Sequence, residues 1–218
     1  MIENKTIDLS AGAVFKTDLS DKPVRVIMYD DTTVCYETWW DHTKNWAYKS
    51  NLSGKVIYYR ASTEDFLKTA TFLHSEPLND EEIAIHRPDL PLYVCRNANL
   101  KWSDKIYDTI EAYENYIKED IDNTIQFSAL NIPKIILAPF GLKGGLKKGV
   151  IIEARNGVSL SAVELLWNAN NIEAPYITTP VRNGVGIYRQ GFAKKIPSFY
   201  IWGFNNDPDY FKTAGNLS

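Results

Sequence analysis

The spacing of apolar residues changes along the chain from a period of two to a helical period. Between Val24 and Trp40, apolar and polar side chains alternate on both sides of the turn-forming residues 30–32, which is typical of a β-hairpin. Between Ile106 and Ile121 the apolar residues instead recur at steps of three and four, as on one face of an α-helix. A chain with both patterns must pack sheets and helices together, and we predict the α+β class.

Residues 1–75 are predicted to form a small β-barrel of the SH3-like or Tudor-like kind. Short strands alternate there with polar turns, and they are rich in Trp and Tyr, whose bulk can fill an interior too small for layered packing. A further strand is expected at residues 55–60. Ser62 or Thr63 can then cap a helix over residues 63–73, because two acidic residues follow in its first turn. This helix would close the barrel.

Residues 76–91 are predicted to be a linker, since three prolines lie there among acidic and amide side chains. Residues 92–218 are then expected to form a second, mixed α+β domain. Its clearest element is the helix between Ile106 and Ile121, whose apolar residues recur at steps of three and four. Ser103 or Asp104 is the expected N-cap of this helix. Another helix should begin at Ser161, which stands three residues before a glutamate, as in a capping box. The strands of this domain are expected at residues 92–96, 134–138, 149–154, 184–188 and 198–204.

Charged residues are sorted along the chain, although the formal net charge is only -3. Residues 61–123 carry 14 acidic and 6 basic side chains, whereas residues 134–195 carry 9 basic and 3 acidic ones. A basic half of this kind can meet a phosphate backbone or an acidic protein partner. The acidic helix can equally pack beside the basic strands, so that the two neutralise each other.

The strongest candidate for anion binding is a Gly/Lys loop at residues 140–149. Its glycines allow backbone N–H groups to approach an anion, and its three lysines can neutralise phosphates. It is not a Walker A loop, because no Gly-Lys pair precedes Ser or Thr. The alternative is a solvated hairpin without a ligand. With the basic residues of nearby strands included, the predicted nucleic-acid-binding set is Lys143, Lys147, Lys148, Arg155, Lys194 and Lys195.

Aromatic side chains of the first domain form a second candidate surface. Trp39, Trp40, Trp46 and Tyr59 can stack on bases or surround a cation if they are exposed. The alternative is that they fill the interior of the barrel. Because neighbours on a strand point to opposite faces, Trp39 and Trp40 cannot both point inwards, and one of them is expected to be exposed.

No set of residues with catalytic spacing stands out. The strand at 149–154 resembles the Glu-x-Lys strand of restriction-endonuclease-like nucleases, in which Glu153 would bind Mg²⁺. However, Arg155 stands where that family has lysine, and the preceding strand has no acidic residue. The histidines are scattered, Cys35 and Cys95 lie 60 residues apart, and no Ser lies in a G-x-S-x-G elbow. We therefore predict a binding protein more than an enzyme, without a metal site or cofactor.

These patterns predict a non-catalytic nucleic-acid-binding accessory protein that uses the Gly/Lys loop and strands of the C-terminal half. The alternative is an interaction or inhibitor protein that is encoded by a phage or mobile element and binds a host protein. A divergent nuclease is a third, less favoured hypothesis. The predicted partner is the phosphate backbone of DNA or RNA, or else a host protein. The N-terminus lacks the features of a signal peptide and no apolar run could span a membrane, so a cytoplasmic location without membrane contact is expected.

Overall fold

The computed structural model describes residues 9–50, 55–97, 100–118, 128–139, 148–177 and 184–202. These residues form two compact units that divide between Pro88 and Asp89. Strands and helices occur in both units, which confirms the predicted α+β class. The predicted domain limits remain predictions, and the predicted linker contains a helix at Asp80–His86. No helix within the described ranges is long and apolar enough to cross a membrane.

The first unit is built around an antiparallel sheet. Its elements, in chain order, are β1 (Ala13–Thr17), β2 (Ser20–Tyr29), β3 (Thr33–Trp40), β4 (Asn45–Ala47), β5 (Lys49–Ser50), β6 (Lys55–Ile57), β7 (Tyr59–Ser62), α1 (Thr63–Thr69), β8 (Thr71–Ser75) and α2 (Asp80–His86). The strand order is β4-β3-β2-β1-β8, β7 also pairs with β3, and β5 pairs with β6. β2 and β3 form the hairpin expected from the alternation. Because the strand order has two ends, these pairings do not confirm the SH3-like barrel.

Helix α1 begins where the sequence indicates and ends earlier than expected. The side chain of Ser62 accepts a hydrogen bond from the N–H of Asp65, as an N-cap does. The helix ends at Thr69, four residues before the expected end. The next residues extend as β8 along β1, where the ring of Phe72 packs edge-on against Phe15 at 5.7 Å. Leu73, at the expected end of the helix, therefore belongs to a strand.

Helix α2 lies inside the segment that was predicted to be a linker. Asn79 and Glu82 form a complete capping box, in which each side chain accepts a hydrogen bond from the backbone N–H of the other residue. Two backbone donors at the start of the helix are satisfied in this way. A short helix is therefore stable here despite the prolines on both sides.

Gly12 brings the segment after β8 against β1. Its φ is +86°, its carbonyl accepts the N–H of Glu76, and a Cβ there would lie 2.7 Å from both the Glu76 carbonyl oxygen and Pro77 Cα. We expect Gly12→Ala to lower the free energy of unfolding by about 2 kcal/mol, because the left-handed backbone and the main-chain clash both oppose a side chain. Urea denaturation measures this change.

Gly157→Ala is the matched control for the Gly12 substitution. Gly157 also has a left-handed backbone, with φ +70°, but no atom lies within 4 Å of its Cβ position. Only the backbone penalty of about 1 kcal/mol is expected there. Equal losses in the two variants would show that the close approach at Gly12 is unimportant.

The second unit has a mixed sheet. Its elements, in chain order, are β9 (Tyr93–Asn97), α3 (Ile110–Ile117), β10 (Lys134–Ala138), β11 (Val150–Glu153), α4 (Ala162–Glu173), a 3₁₀ helix (Ala174–Tyr176), β12 (Val185–Ala193) and β13 (Ile196–Trp202). Its strands run in the order β11-β10-β13-β12, and β9 also pairs with β12. β10 and β13 are parallel, and the other pairs are antiparallel. One apolar core joins the sheet to α3 and α4.

Helix α3 begins later than the spacing of the apolar residues predicts. Thr109 caps it by accepting the N–H of Ala112, in place of the expected Ser103 or Asp104. The N–H of Ser103 is instead bound by the side chain of Asn170 on α4. This tertiary hydrogen bond holds the preceding segment outside the helix. The expected end near Ile121 lies outside the described residues.

Candidate nucleic-acid interface

Four basic residues of the second unit lie at one end of its sheet. β10 and β13 are parallel and both begin at this end, and β11 is antiparallel to β10 and therefore finishes there. Lys134 is the first residue of β10, Arg155 follows β11, and Lys194 and Lys195 form the turn before β13. All four are exposed. Neighbouring strands are about 4.8 Å apart, so the set spans roughly 15 Å, and we call these four residues the basic end.

The turn of the basic end has a conformation that lysine rarely adopts. Ala193 pairs with Ile196, so two residues connect β12 to β13. Lys194 and Lys195 have φ values of 52° and 62°, both left-handed, as in a type I′ turn. Asn-Gly is the favoured sequence for this turn, and a residue with a side chain costs on the order of 1 kcal/mol in this region. The chain therefore holds two lysines at the tip of this hairpin at a cost in stability.

Carboxylates lie close to part of the basic end. Glu153 stands opposite Lys134 across the β10–β11 pair. Hydrogen bonds from its own backbone N–H and from Thr109 lower the pKa of Glu111, and the positive charge of Arg155 lowers it further. Glu111 therefore neutralises part of the positive charge of Arg155. Neutralisation within the chain was one of the alternatives that the separation of acidic and basic residues along the sequence left open.

The structure separates Lys148 from the basic end. Lys148 precedes β11 and Arg155 follows it, so the two residues flank opposite ends of this strand, whose four residues of extended chain span roughly 13 Å. Lys148 is exposed, whereas Lys143 and Lys147 lie outside the described residues. Lys148 is thus separate from the basic end, although the sequence analysis grouped it with Arg155, Lys194 and Lys195.

The four aromatic candidates of the first unit lie on both faces of its sheet. Trp39 stands opposite Trp46, and their rings meet edge-on at 5.3 Å. Trp40 points to the other face and is 50% exposed, so it is the exposed member of the adjacent pair, as expected. Tyr59 stacks on Tyr36 and packs against the apolar core. Alternation along β3 therefore divides these residues between two faces.

An ionic network that no sequence pattern indicated is buried on one face of the first sheet. Arg25 and Glu37 stand opposite each other on β2 and β3 and are 2% and 1% exposed. Arg25 donates from Nε and Nη2 to Glu37 Oε1 at 2.7 and 2.5 Å, and Nη2 also donates to Glu82 Oε1 at 2.5 Å. Its Nη1 lies 3.6 Å from Glu76, and its guanidinium lies 5.1 Å from the ring centre of Trp46. We call these five residues the Arg25 network.

The Arg25 network sets the ionisation of its carboxyl groups and occupies an aromatic face. Burial raises the pKa of Glu37 to about 7, although Arg25 acts in the opposite direction. Burial also acts to raise the pKa of Glu82, but hydrogen bonds from Arg25 and from the backbone of Asn79 outweigh it and lower that pKa. The guanidinium covers Trp46, whose Nε1 donates to Glu76 at 2.6 Å. That covered face of the Trp46 ring does not stack on a base.

The described residues offer no divalent-metal site. No group of three or more His, Cys, Asp or Glu within them could hold a metal ion. Glu153, the carboxylate of the nuclease-like strand, is exposed and stands opposite the cation Lys134.

No family model matches this chain, and comparison with curated proteins and with solved structures gives no match. Function must therefore be inferred from the residues and geometry of the chain itself.

Proposed function

We propose that this protein is a non-catalytic nucleic-acid-binding accessory protein that holds a phosphate backbone at its basic end. The proposal is carried by the convergence of Lys134, Arg155, Lys194 and Lys195, from three separate segments, at one end of a sheet. Lysine neutralises phosphate as a point charge, and arginine can bind it through two N–H groups. Contacts of this kind position a backbone and carry no base sequence. The ligand class is DNA or RNA without base readout.

The strained turn supports a role for its two charges. A hairpin that only connected two strands would be more stable with Asn-Gly at its tip. Backbone strain that persists in a fold is often associated with function. The positive φ values of Lys194 and Lys195 therefore favour selection for the lysine side chains over selection for the turn.

The proposal extends to features that the sequence suggests at finer detail. The first unit would close as a small SH3-like or Tudor-like barrel, with Trp40 available for docking or stacking. Lys143, Lys147 and Lys148 of the Gly/Lys loop would make a second set of phosphate contacts. The protein would act in the cytoplasm of a bacterium, or be encoded by a phage or mobile element.

Replacing Lys194 by Asn and Lys195 by Gly tests the proposal, because it separates charge from fold. The free energy of unfolding should rise by about 1 kcal/mol, since Asn-Gly relieves the left-handed strain. The affinity for duplex DNA should fall at the same time. The slope of log affinity against log salt should flatten by about 1.8, at about 0.9 for each lost phosphate contact. Urea denaturation and fluorescence-anisotropy titrations measure the two effects.

The matched control removes the same charge elsewhere in the second unit. Lys101 and Lys105 are exposed and precede α3. Lys101→Gln combined with Lys105→Gln should leave the salt slope within experimental error of wild type. The proposal fails if the Asn-Gly variant binds duplex DNA with the wild-type affinity and slope.

A protein partner is the second candidate, and β8 favours it. All five residues of this strand are exposed, including Phe72 at 51% and Leu73 at 46%. β8 stands at one end of the strand order, so an extended segment of another protein can pair with it. Apolar strand pairing depends on salt much less than phosphate binding does. A host protein retained equally at low and high salt, and released by Phe72→Lys, would favour this candidate.

A further inference from the structure

Arg25 is a single positive charge shared by three carboxylates from three parts of the first unit. Glu37 lies on β3, Glu82 lies on α2, and Glu76 lies between β8 and α2. The side chains of Arg25 and Glu37 are 3% and 2% exposed, whereas those of Glu82 and Glu76 are 26% and 45% exposed. Arg25 Nη2 lies 2.5 Å from both Glu37 and Glu82. Nη2 carries two N–H groups and donates to both carboxylates, which therefore compete for one positive charge.

Glu82 connects this competition to the position of α2. Its Oε2 accepts the N–H of Asn79 at 2.9 Å and completes the capping box, while its Oε1 accepts Arg25. The helix is thus tied to the sheet through the guanidinium that also neutralises Glu37. An ionised Glu37 draws Arg25 away from Glu82 and repels the Glu82 carboxylate. A protonated Glu37 carries no charge, so it neither draws Arg25 away from Glu82 nor repels the Glu82 carboxylate.

We propose that Glu37 is a proton-dependent latch, which takes up a proton, leaves the charge of Arg25 to Glu82 and Glu76, and thereby tightens α2 on the sheet. Burial raises the pKa of Glu37 to about 7, above its ordinary value of 4.5. The protonated, tight form therefore prevails on the acid side of about 7, and the helix loosens as the pH rises through that value. The pKa of Glu82 is lowered, so Glu82 remains ionised across this range.

Other titratable groups lie near Glu37 and Glu82, and they determine which control the experiment needs. Burial raises the pKa of Tyr48, as do the negative charges of Glu37 and Glu82, so this phenol stays neutral. His86, on α2, acts electrostatically on Glu82, and its Nδ1 lies 3.1 Å from the hydroxyl of Tyr58. Histidine commonly titrates near neutral pH. An experiment must therefore separate Glu37 from His86.

Amide hydrogen exchange of α2 in the full chain, at about pH 6 and about pH 8, tests the latch. Each rate is corrected for the intrinsic exchange rate at that pH, and the amides of α1 provide an internal reference. Wild-type protection of α2 should fall roughly tenfold from the lower to the higher pH, since one pH unit of proton linkage corresponds to a factor of ten. Glu37→Gln, which mimics the protonated carboxyl, should keep its full protection at both pH values. Glu64→Gln, an exposed control on α1, should behave like wild type.

Two outcomes of the exchange experiment would overturn the latch. The first is equal protection of α2 at both pH values in wild type. The second is a pH dependence that persists in Glu37→Gln, which would assign the effect to His86. Because a buried substitution can impair folding, the side-chain carboxyl carbon of Glu37 is also followed by NMR in wild type. A midpoint near 7 that coincides with the change in α2 supports the latch, and a midpoint below about 5 contradicts it.

Discussion

Replacing Arg25 by methionine is expected to destabilise the first unit by about 3–5 kcal/mol at about pH 8. The substitution leaves the carboxylate of Glu37, which is 1% exposed, without its counter-charge. It also removes the hydrogen bond to Glu82 and the contact with the Trp46 ring. The loss should be smaller at about pH 5, because Glu37 can then take up a proton and needs no counter-charge. Urea denaturation at the two pH values measures both losses.

Two further variants show whether the loss comes from an uncompensated charge. Replacing Arg25 by Met and Glu37 by Leu together should recover most of the stability at about pH 8, since a buried ion pair can often be exchanged for apolar side chains at little cost. Lys16→Met, at an exposed position on β1, should change the free energy of unfolding by about 0.5 kcal/mol or less. An Arg25→Met loss below about 1 kcal/mol, or one that is unchanged in the double variant, would contradict this account of the network.

Removing all four charges of the basic end is expected to have the largest effect on nucleic-acid binding. The variant combines Lys134→Gln, Arg155→Gln, Lys194→Asn and Lys195→Gly. If each residue meets one phosphate, the slope of log affinity against log salt should flatten by about 3.6, and affinity at low salt should fall by about 100-fold or more. Duplexes of different sequence should lose affinity about equally, because phosphate contacts do not read bases. Anisotropy titrations with two unrelated duplexes measure both quantities.

A loop variant serves as the counterpart to the basic-end variant. Replacing Lys143, Lys147 and Lys148 by Ala should flatten the salt slope by about 2 to 3 if the Gly/Lys loop also meets phosphates. If those lysines only neutralise acidic side chains of the chain, thermal stability should fall slightly and binding should not change. A loss of binding in the loop variant together with wild-type binding in the basic-end variant would assign the interface to the Gly/Lys loop and not to the basic end.

The sequence predicted the structure best where local residue patterns alone determine it. The alternation between Val24 and Trp40 was enough to predict the β2–β3 hairpin, because a period of two indicates an extended chain. Helix ends depend on more than periodicity. Thr109 caps α3 because the segment before it is hydrogen-bonded to α4, and no local pattern reveals that contact. The prolines around α2 led to the prediction of a linker, and the capping box of Asn79 and Glu82 was not recognised in the sequence.

The two candidate sites needed the topology of the sheets. Arg25 and Glu37 occupy polar positions of an alternating hairpin, which normally face solvent. They are buried because α2 brings Glu82 onto their face of the sheet. In the second unit, the sequence identified Arg155, Lys194 and Lys195 as candidates. Their location at the same end of the sheet as Lys134 follows from the parallel pairing of β10 with β13. Residue spacing along a chain does not specify such a pairing.

The most direct test of nucleic-acid binding at the basic end is the affinity of the wild-type protein for duplex DNA at about 50 mM and about 200 mM salt. Four phosphate contacts predict a decrease of about 100-fold between these conditions, with little difference between duplex sequences. A wild-type protein that does not bind at the lower salt concentration, or that binds equally at both, would contradict the proposed function. The exposed strand β8 would then be the first candidate for the functional surface.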